Sequence, residues 1–383
     1  MAIDSNAPLW LETPLIRSSY LSRSLGCGVY LKLDNLQPSH SFKHRGISLY
    51  IQRALAQHGS PSKLHAIIAS GGNAGLAAAT ASAALGVRCT VFLPHGAAQR
   101  TIDLMRGQGA EVVVHGAAYI EAVRKAEEAV KLDPQHAVMV PAYDDATLWE
   151  GHGSLVEEIA RQAPRKPDAI MCSVGGAGLL GGIIVGCEKA GWSDVPLVAL
   201  ETKGSNCFHY SMLLNQPGAK SEFAQSLPSN VSTVAVESKD LPNMRLAHFN
   251  SFSSFASGSL GASQPSARVV EMALAHPGGV TSVTVDDALA MHAAVGFARD
   301  HKMLVEPSCA VTLAAAYQPK LFNSIVSPSP QNREAEERIV VLIVCGGFKV
   351  SAADIEEYDA LLAKDKQPRA AVIGDGKVIE IIN

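Results

Sequence analysis

Short apolar runs of strand length alternate along this chain with longer stretches in which apolar and polar residues mix. Val29-Tyr30-Leu31-Lys32-Leu33, Ala66-Ile67-Ile68-Ala69, Val91-Phe92-Leu93-Pro94 and Glu111-Val112-Val113-Val114 read as strands. So do Ala169-Ile170-Met171-Cys172, Leu197-Val198-Ala199-Leu200 and Val340-Val341-Leu342-Ile343-Val344. The last two, apolar throughout, suit strands buried on both faces of a sheet. Gly46-Ile47-Ser48-Leu49-Tyr50-Ile51 begins a helix-like pattern, and Leu76 to Leu85 reads as a helix of small residues. Alternation of this kind predicts an α/β fold with two open, mostly parallel sheets and flanking helices. Such sheets bind ligands beyond the carboxyl ends of their strands, so the turns after these runs are where chemistry is expected.

Ser41-Phe42-Lys43-His44-Arg45-Gly46 follows the first run through the turn Leu36-Gln37-Pro38-Ser39-His40. A lysine at a strand-to-helix junction, flanked by Phe42 and backed by Arg45, can be partly desolvated and positioned, which favours an imine-forming amine. Alone, Lys43 reads as a solvated lysine at a helix start; two glycine loops change that. Ser70-Gly71-Gly72-Asn73-Ala74-Gly75 offers unpaired N–H groups where a carboxylate binds without an arginine, and Ser70 and Asn73 add side-chain hydrogen bonds. Ser173-Val174-Gly175-Gly176-Ala177-Gly178 suits a phosphate cradle. Neither loop is a Walker sequence or a G-x-G-x-x-G fingerprint, so a dinucleotide is not indicated, and any one glycine cluster is as often a tight turn.

These motifs, with Val344-Cys345-Gly346-Gly347, come in an order that resembles the pyridoxal-phosphate enzymes of the tryptophan-synthase β fold. Within them the chain is most similar to the eukaryotic-type L-serine/L-threonine dehydratases. The resemblance runs from about Thr13-Pro14-Leu15 to the helix after Cys345, and takes in Asp144 to His152 and Val305-Glu306-Pro307-Ser308-Cys309. It implies pyridoxal 5'-phosphate anchored on Lys43, which then serves as the base at Cα. Ser70, Gly71, Asn73 and Ala74 would hold the substrate carboxylate, with Asn73 also at the cofactor O3′. Gly175, Gly176, Ala177 and Gly178 would bind the phosphate, and Phe42 would pack on the pyridine face. Cys345, with Gly346, would face the pyridine nitrogen, where a thiol cannot supply the anion that keeps a ring protonated. The resembled enzymes have the cofactor phosphate as the acid for loss of a β-hydroxyl. Glu201, with backbone carbonyls near Ser205, would bind a monovalent cation such as K+; a solvated strand-end glutamate is the competing reading. Cys207 stands where the family often has a hydroxyl.

The resemblance further implies a large domain of residues 1–45 and 146–383, a small lid-like domain of 46–145, and a homodimer. The implied reaction is conversion of L-serine to pyruvate and ammonia, with L-threonine to 2-oxobutanoate beside it. A β-replacement enzyme working through an aminoacrylate, and a catalytically weak regulatory homologue, are the alternatives.

Composition narrows the partners. With 383 residues, 47% hydrophobic and 18% charged, the chain can bury a large core. A net charge of −4 leaves no basic footprint for nucleic acid and no polybasic membrane patch. Seven cysteines without a C-x-x-C pair suggest neither a disulfide framework nor structural zinc. No run reaches membrane-spanning length. Asp4 and Glu12 precede the first basic residue, Arg17, which is unlike a leader, so a cytoplasmic location is expected.

Departures from the resembled pattern also carry expectations. Gly71 replaces an alanine and would enlarge the pocket or loosen its loop. Ala177 interrupts a glycine run and is tolerable only with negative φ. Phe348 replaces a small hydroxylic residue. His40, His44 and His152 invite a catalytic reading, but histidines of this kind mostly pack or cap. Glu306-Pro307 is expected to shape a loop, with no proton-transfer role. Pro217 to Ser266 and Ser327 to Glu337 read as surface connections, and residues 369–382 as a hairpin turning at Asp375-Gly376.

Overall fold

The computed structural model describes residues 7–216, 227–326, 337–365, 367, 369–374 and 376–381. The larger of its sheets has eight strands in the order β1 (Leu15–Arg17), β2 (Gly28–Leu33), β12 (Ile339–Val344), β7 (Ala169–Ser173), β8 (Leu197–Thr202), β11 (Val280–Val285), β13 (Arg369–Ile373) and β14 (Val378–Ile381). Neighbours from β2 to β11 run parallel, while β1, β13 and β14 pair antiparallel at the edges. The second sheet is wholly parallel, in the order β5 (Glu111–Val114), β4 (Arg88–Leu93), β3 (His65–Ala69) and β6 (Ala137–Met139). Every residue of β7, β8 and β12 is buried, which is why these runs carry no polar alternation.

Two sequence expectations need correction. The helix after β2 spans Lys43–His58, so it begins three residues before Gly46 and Lys43 is its first residue. Within Pro217 to Ser266, residues 217–226 lie outside those described, but β9 (Thr233–Glu237) and β10 (Arg245–Phe249) form an antiparallel pair where surface loops were expected. β10 buries Leu246, Ala247 and Phe249, whereas β9 has no buried residue and leaves Val234 and Ala235 exposed. Residues 327–336 lie outside the described chain, as do Asp4 and Asp375. The tail does form a hairpin, and β13 adds it to the sheet along β11.

A buried ionic cluster fixes the Lys43–His58 helix. Arg45 Nε donates to Asp34 Oδ2 at 2.7 Å and its guanidinium reaches Glu158 Oε1 at 2.6 Å. Lys32 Nζ lies 2.5 Å from Glu158 Oε2, and Thr13 Oγ1 donates to Asp34 at 2.8 Å. All four charged side chains are at most 3% exposed. Two cations balance two anions, which is how buried charges are tolerated. One residue further on, the helix crosses the Ala146–Gln162 helix at Gly46 and Gly151. A Cβ on Gly46 would lie 2.5 Å from the Leu148 carbonyl oxygen, so that crossing distance requires glycine.

Candidate active site

Five turns at the carboxyl ends of β2, β3, β7, β8 and β12 hold the residues singled out from sequence. Ser41 bridges to Gly346, and Phe42 N donates to the Cys345 carbonyl at 3.0 Å, so the lysine turn and the cysteine turn are stitched together. Lys43 Nζ donates to the Ala142 carbonyl oxygen and lies 5.3 Å from the centroid of the Phe42 ring. Burial pushes the Lys43 ammonium down to about 8, opposed by the nearby Cys345 thiol. An amine so poised is a usable nucleophile and base near neutral pH.

Cys345 is buried, and its Sγ lies 3.3 Å from Ser173 Oγ at the end of β7. The next residues, Gly175, Gly176, Ala177 and Gly178, lead into the Gly178–Lys189 helix. Among the described residues, nothing accepts a hydrogen bond from their four N–H groups. These unpaired donors at a helix start fit a phosphate. Ala177 has φ +71°, contrary to the negative value expected from sequence. The turn from β7 into the helix needs a left-handed residue there, at a cost of about 1–2 kcal/mol for a residue bearing Cβ.

Ser70, Gly71 and Asn73 are half-buried and Ala74 is buried, at the start of the Asn73–Leu85 helix. Gly72 N donates to Ser70 Oγ at 3.3 Å. A Cβ at Gly71 would meet Leu93 Cβ at 3.6 Å, an ordinary contact, so alanine fits there. Asn73 is held from the other sheet: its Oδ1 accepts from Phe348 N at 3.3 Å, and its Nδ2 donates to Glu306 Oε1 at 3.3 Å.

Sequence reasoning gave Glu306 only a loop-shaping role. Its carboxylate is 4% exposed and also accepts from Ser259 Oγ at 2.6 Å, Ser308 Oγ at 3.0 Å and Lys349 N at 3.0 Å. It gathers three separated segments around Asn73. The signal in sequence was one acid before a proline, which says nothing of partners so far away in the chain. His152 is buried beneath Phe42, with ring centroids 4.9 Å apart, and its Nδ1 accepts from Gly46 N at 3.2 Å. It caps and packs. His44 is buried, with Nε2 3.3 Å from the Leu9 carbonyl, and His40 is exposed.

Glu201 is fully buried, not solvated at a strand end, which removes the competing reading of that residue. Its carboxylate accepts from Phe208 N at 3.1 Å and His209 N at 2.6 Å, at the start of the Cys207–Leu214 helix. Burial pushes the carboxyl well above its ordinary range, opposed by these two N–H donors. Ser205 Oγ is buried and has no hydrogen-bond partner among the described residues, and Cys207 Sγ points to the Gly175 carbonyl at 3.6 Å. Among the described residues, no cluster of three or more His, Cys, Asp or Glu side chains could hold a metal.

Residues 7–346 match the family described as pyridoxal-phosphate dependent enzyme. The chain belongs to that family. Its lysine, unpaired phosphate donors and buried thiol all fit that cofactor. The chain is 35% identical to human L-serine dehydratase/L-threonine deaminase, over 92% of this chain and 95% of the relative. It is 31% identical to the catabolic L-serine/threonine dehydratase of Saccharomyces cerevisiae, over 92% of each chain. Among solved structures it resembles a fungal L-serine ammonia-lyase from Rhizomucor miehei, with TM-score 0.75, 31% identity, and 92% of this chain and 99% of that one covered. This pyridoxal-phosphate enzyme therefore has the α/β architecture read from its sequence.

Proposed function

We propose that this enzyme dehydrates and deaminates L-serine to pyruvate and ammonia, and converts L-threonine to 2-oxobutanoate in the same way. The observation that carries the reading is Lys43: an amine pushed down to about 8, beside a buried thiol and stitched to the turn that bears it. Relatives named for serine and threonine dehydration, similar over nine-tenths of the chain, support the substrate class. When bound, pyridoxal phosphate supplies a conjugated sink for the electron pair left at Cα. Lys43, neutral, accepts the Cα proton. Ser70, Gly71, Asn73 and Ala74 hold the substrate carboxylate through the hydroxyl, the amide and the helix-start N–H groups. Gly175, Gly176, Ala177 and Gly178 would hold the phosphate. Phe42 would pack on the pyridine ring and keep water from Lys43. Cys345, with Gly346 beside it, would offer the pyridine nitrogen a neutral group, which would restrain transamination.

The reading includes a potassium ion at Glu201 and Ser205. A fully buried carboxylate gains from a nearby cation, and the partnerless Ser205 hydroxyl is an available oxygen ligand. Residues 46–145 form the small domain in this reading, supported by a sheet whose strands all fall between His65 and Met139. The enzyme would act as a cytosolic homodimer on a small amino acid. Among the described residues no helix is long and apolar enough to cross a membrane.

The deciding experiment incubates the cofactor-loaded protein with L-serine, with and without a thiol. Pyruvate and ammonia in equal amounts, unaffected by the thiol, are expected; a thioether product identifies a replacement enzyme, and no turnover refutes the proposal. Lys43→Ala should abolish turnover and leave the fold intact.

A further inference from the structure

We propose that Lys349 is a substrate-binding residue, its ammonium pairing with the substrate's carboxylate across Gly72. The inference rests on the reading that the Ser70–Ala74 loop holds that carboxylate. The backbone of the turn after β12 is pinned to that loop: Phe348 N donates to Asn73 Oδ1 at 3.3 Å, and Lys349 N donates to Glu306 Oε1 at 3.0 Å. From this fixed start the exposed Lys349 side chain reaches the Gly258 turn, and its Nζ donates to the Gly258 carbonyl at 2.9 Å. A Cβ added at Gly72 would lie 3.4 Å from Lys349 Nζ and 3.8 Å from Ser70 Oγ. The ammonium and the hydroxyl thus both lie within ordinary contact distance of the place a Gly72 Cβ would take, on the same side of the loop.

Among the described residues no carboxylate pairs with Lys349 Nζ, and an ammonium has three donors, of which the Gly258 carbonyl takes one. The helix-start N–H groups of the loop carry only partial charge. A full positive charge at the same place adds a charge-assisted hydrogen bond to an anion. It makes the site select amino acids with a free, ionised carboxylate over amides and esters.

The test compares holoenzyme carrying Lys349→Met, Lys349→Arg or Asn73→Ala with the unsubstituted protein. Steady-state turnover of L-serine is measured, and glycine, which has no β-substituent to lose, is titrated against the cofactor absorbance. Lys349→Met should raise KM for L-serine and Kd for glycine about tenfold, the effect of one hydrogen bond to a charged group. A loss of ground-state binding leaves kcat within about twofold. Lys349→Arg should restore most of the affinity, and salt should narrow the gap between the Met variant and the unsubstituted protein. Unchanged KM and Kd in Lys349→Met, with a raised KM in Asn73→Ala, overturn the assignment of Lys349 alone. Unchanged values in both variants overturn the carboxylate loop itself.

Discussion

If Lys43 anchors the cofactor as proposed, its burial should set the pH at which the protein captures pyridoxal phosphate. Only the neutral amine attacks an aldehyde, and burial brings the ammonium from 10.5 down to about 8. At pH 7 the neutral fraction of such a lysine is about 300 times that of a solvated one, from the difference of about 2.5 between the two values. Protein stripped of cofactor and mixed rapidly with pyridoxal phosphate reports this as the rate of the absorbance change. That rate should climb about tenfold per pH unit below pH 8 and level off above it. Phe42→Ala removes the ring 5.3 Å from Nζ and admits water. Weaker desolvation favours the charged form, so the midpoint should move upward and capture at pH 7 should slow. A rate that keeps climbing tenfold per unit beyond pH 9.5 in the unsubstituted protein would refute the argument, because that is how a solvated lysine behaves.

Further expectations follow from the charged and polar groups around the site. Arg45→Met leaves Asp34 buried beside no guanidinium and should cost about 3–5 kcal/mol in urea unfolding, whereas an unchanged midpoint would remove the ionic cluster from the stability argument. Cys345→Ser should keep activity by retaining a neutral hydrogen-bonding group, and Cys345→Asp should add amino-group transfer and a new absorption with L-serine; an ordinary dehydratase with Asp there would place another group at the ring nitrogen. Potassium should raise activity relative to a large organic cation at equal ionic strength, and Glu201→Ala should abolish that dependence; equal rates in both salts would leave Glu201 as a helix cap only.

Strands buried on both faces were legible from local sequence because burial itself demands an uninterrupted apolar run. β12 differs from the expected run only by Ile339; Glu111–Val114, an edge strand with no buried residue, was legible instead from its run of three valines. The start of the Lys43–His58 helix was missed because its first turn, Lys43-His44-Arg45, is polar. That polarity is matched by Asp34 and Glu158, and Glu158 stands more than a hundred residues away. The β9–β10 pair was missed for a similar reason: Thr233–Glu237 has no fully buried residue and its sequence looks like a connection. Glu306 shows the same limit at the site. Its donors come from Asn73, Ser259, Ser308 and Lys349, and only Ser308 is a near neighbour in sequence. The Ala177 turn was misjudged because its φ is set by how β7 enters a helix, which residue type alone does not reveal.

The position of β12 has a bearing on how the protein is made. It is the last parallel strand in chain order, yet it sits between β2 and β7 and carries Cys345 at its end. During synthesis, the strands of the smaller sheet emerge early and have only near neighbours to pair with, while β2, paired early only with β1, must wait for its parallel partner about 310 residues later. The gap it leaves is an open, two-sided, apolar edge on a half-built chain. A ribosome stalled shortly before Ile339 would hold a chain with one finished sheet and one aggregation-prone one, and a premature stop there would yield a product for quality control to remove, lacking the Cys345 turn that is stitched to Ser41 and Phe42.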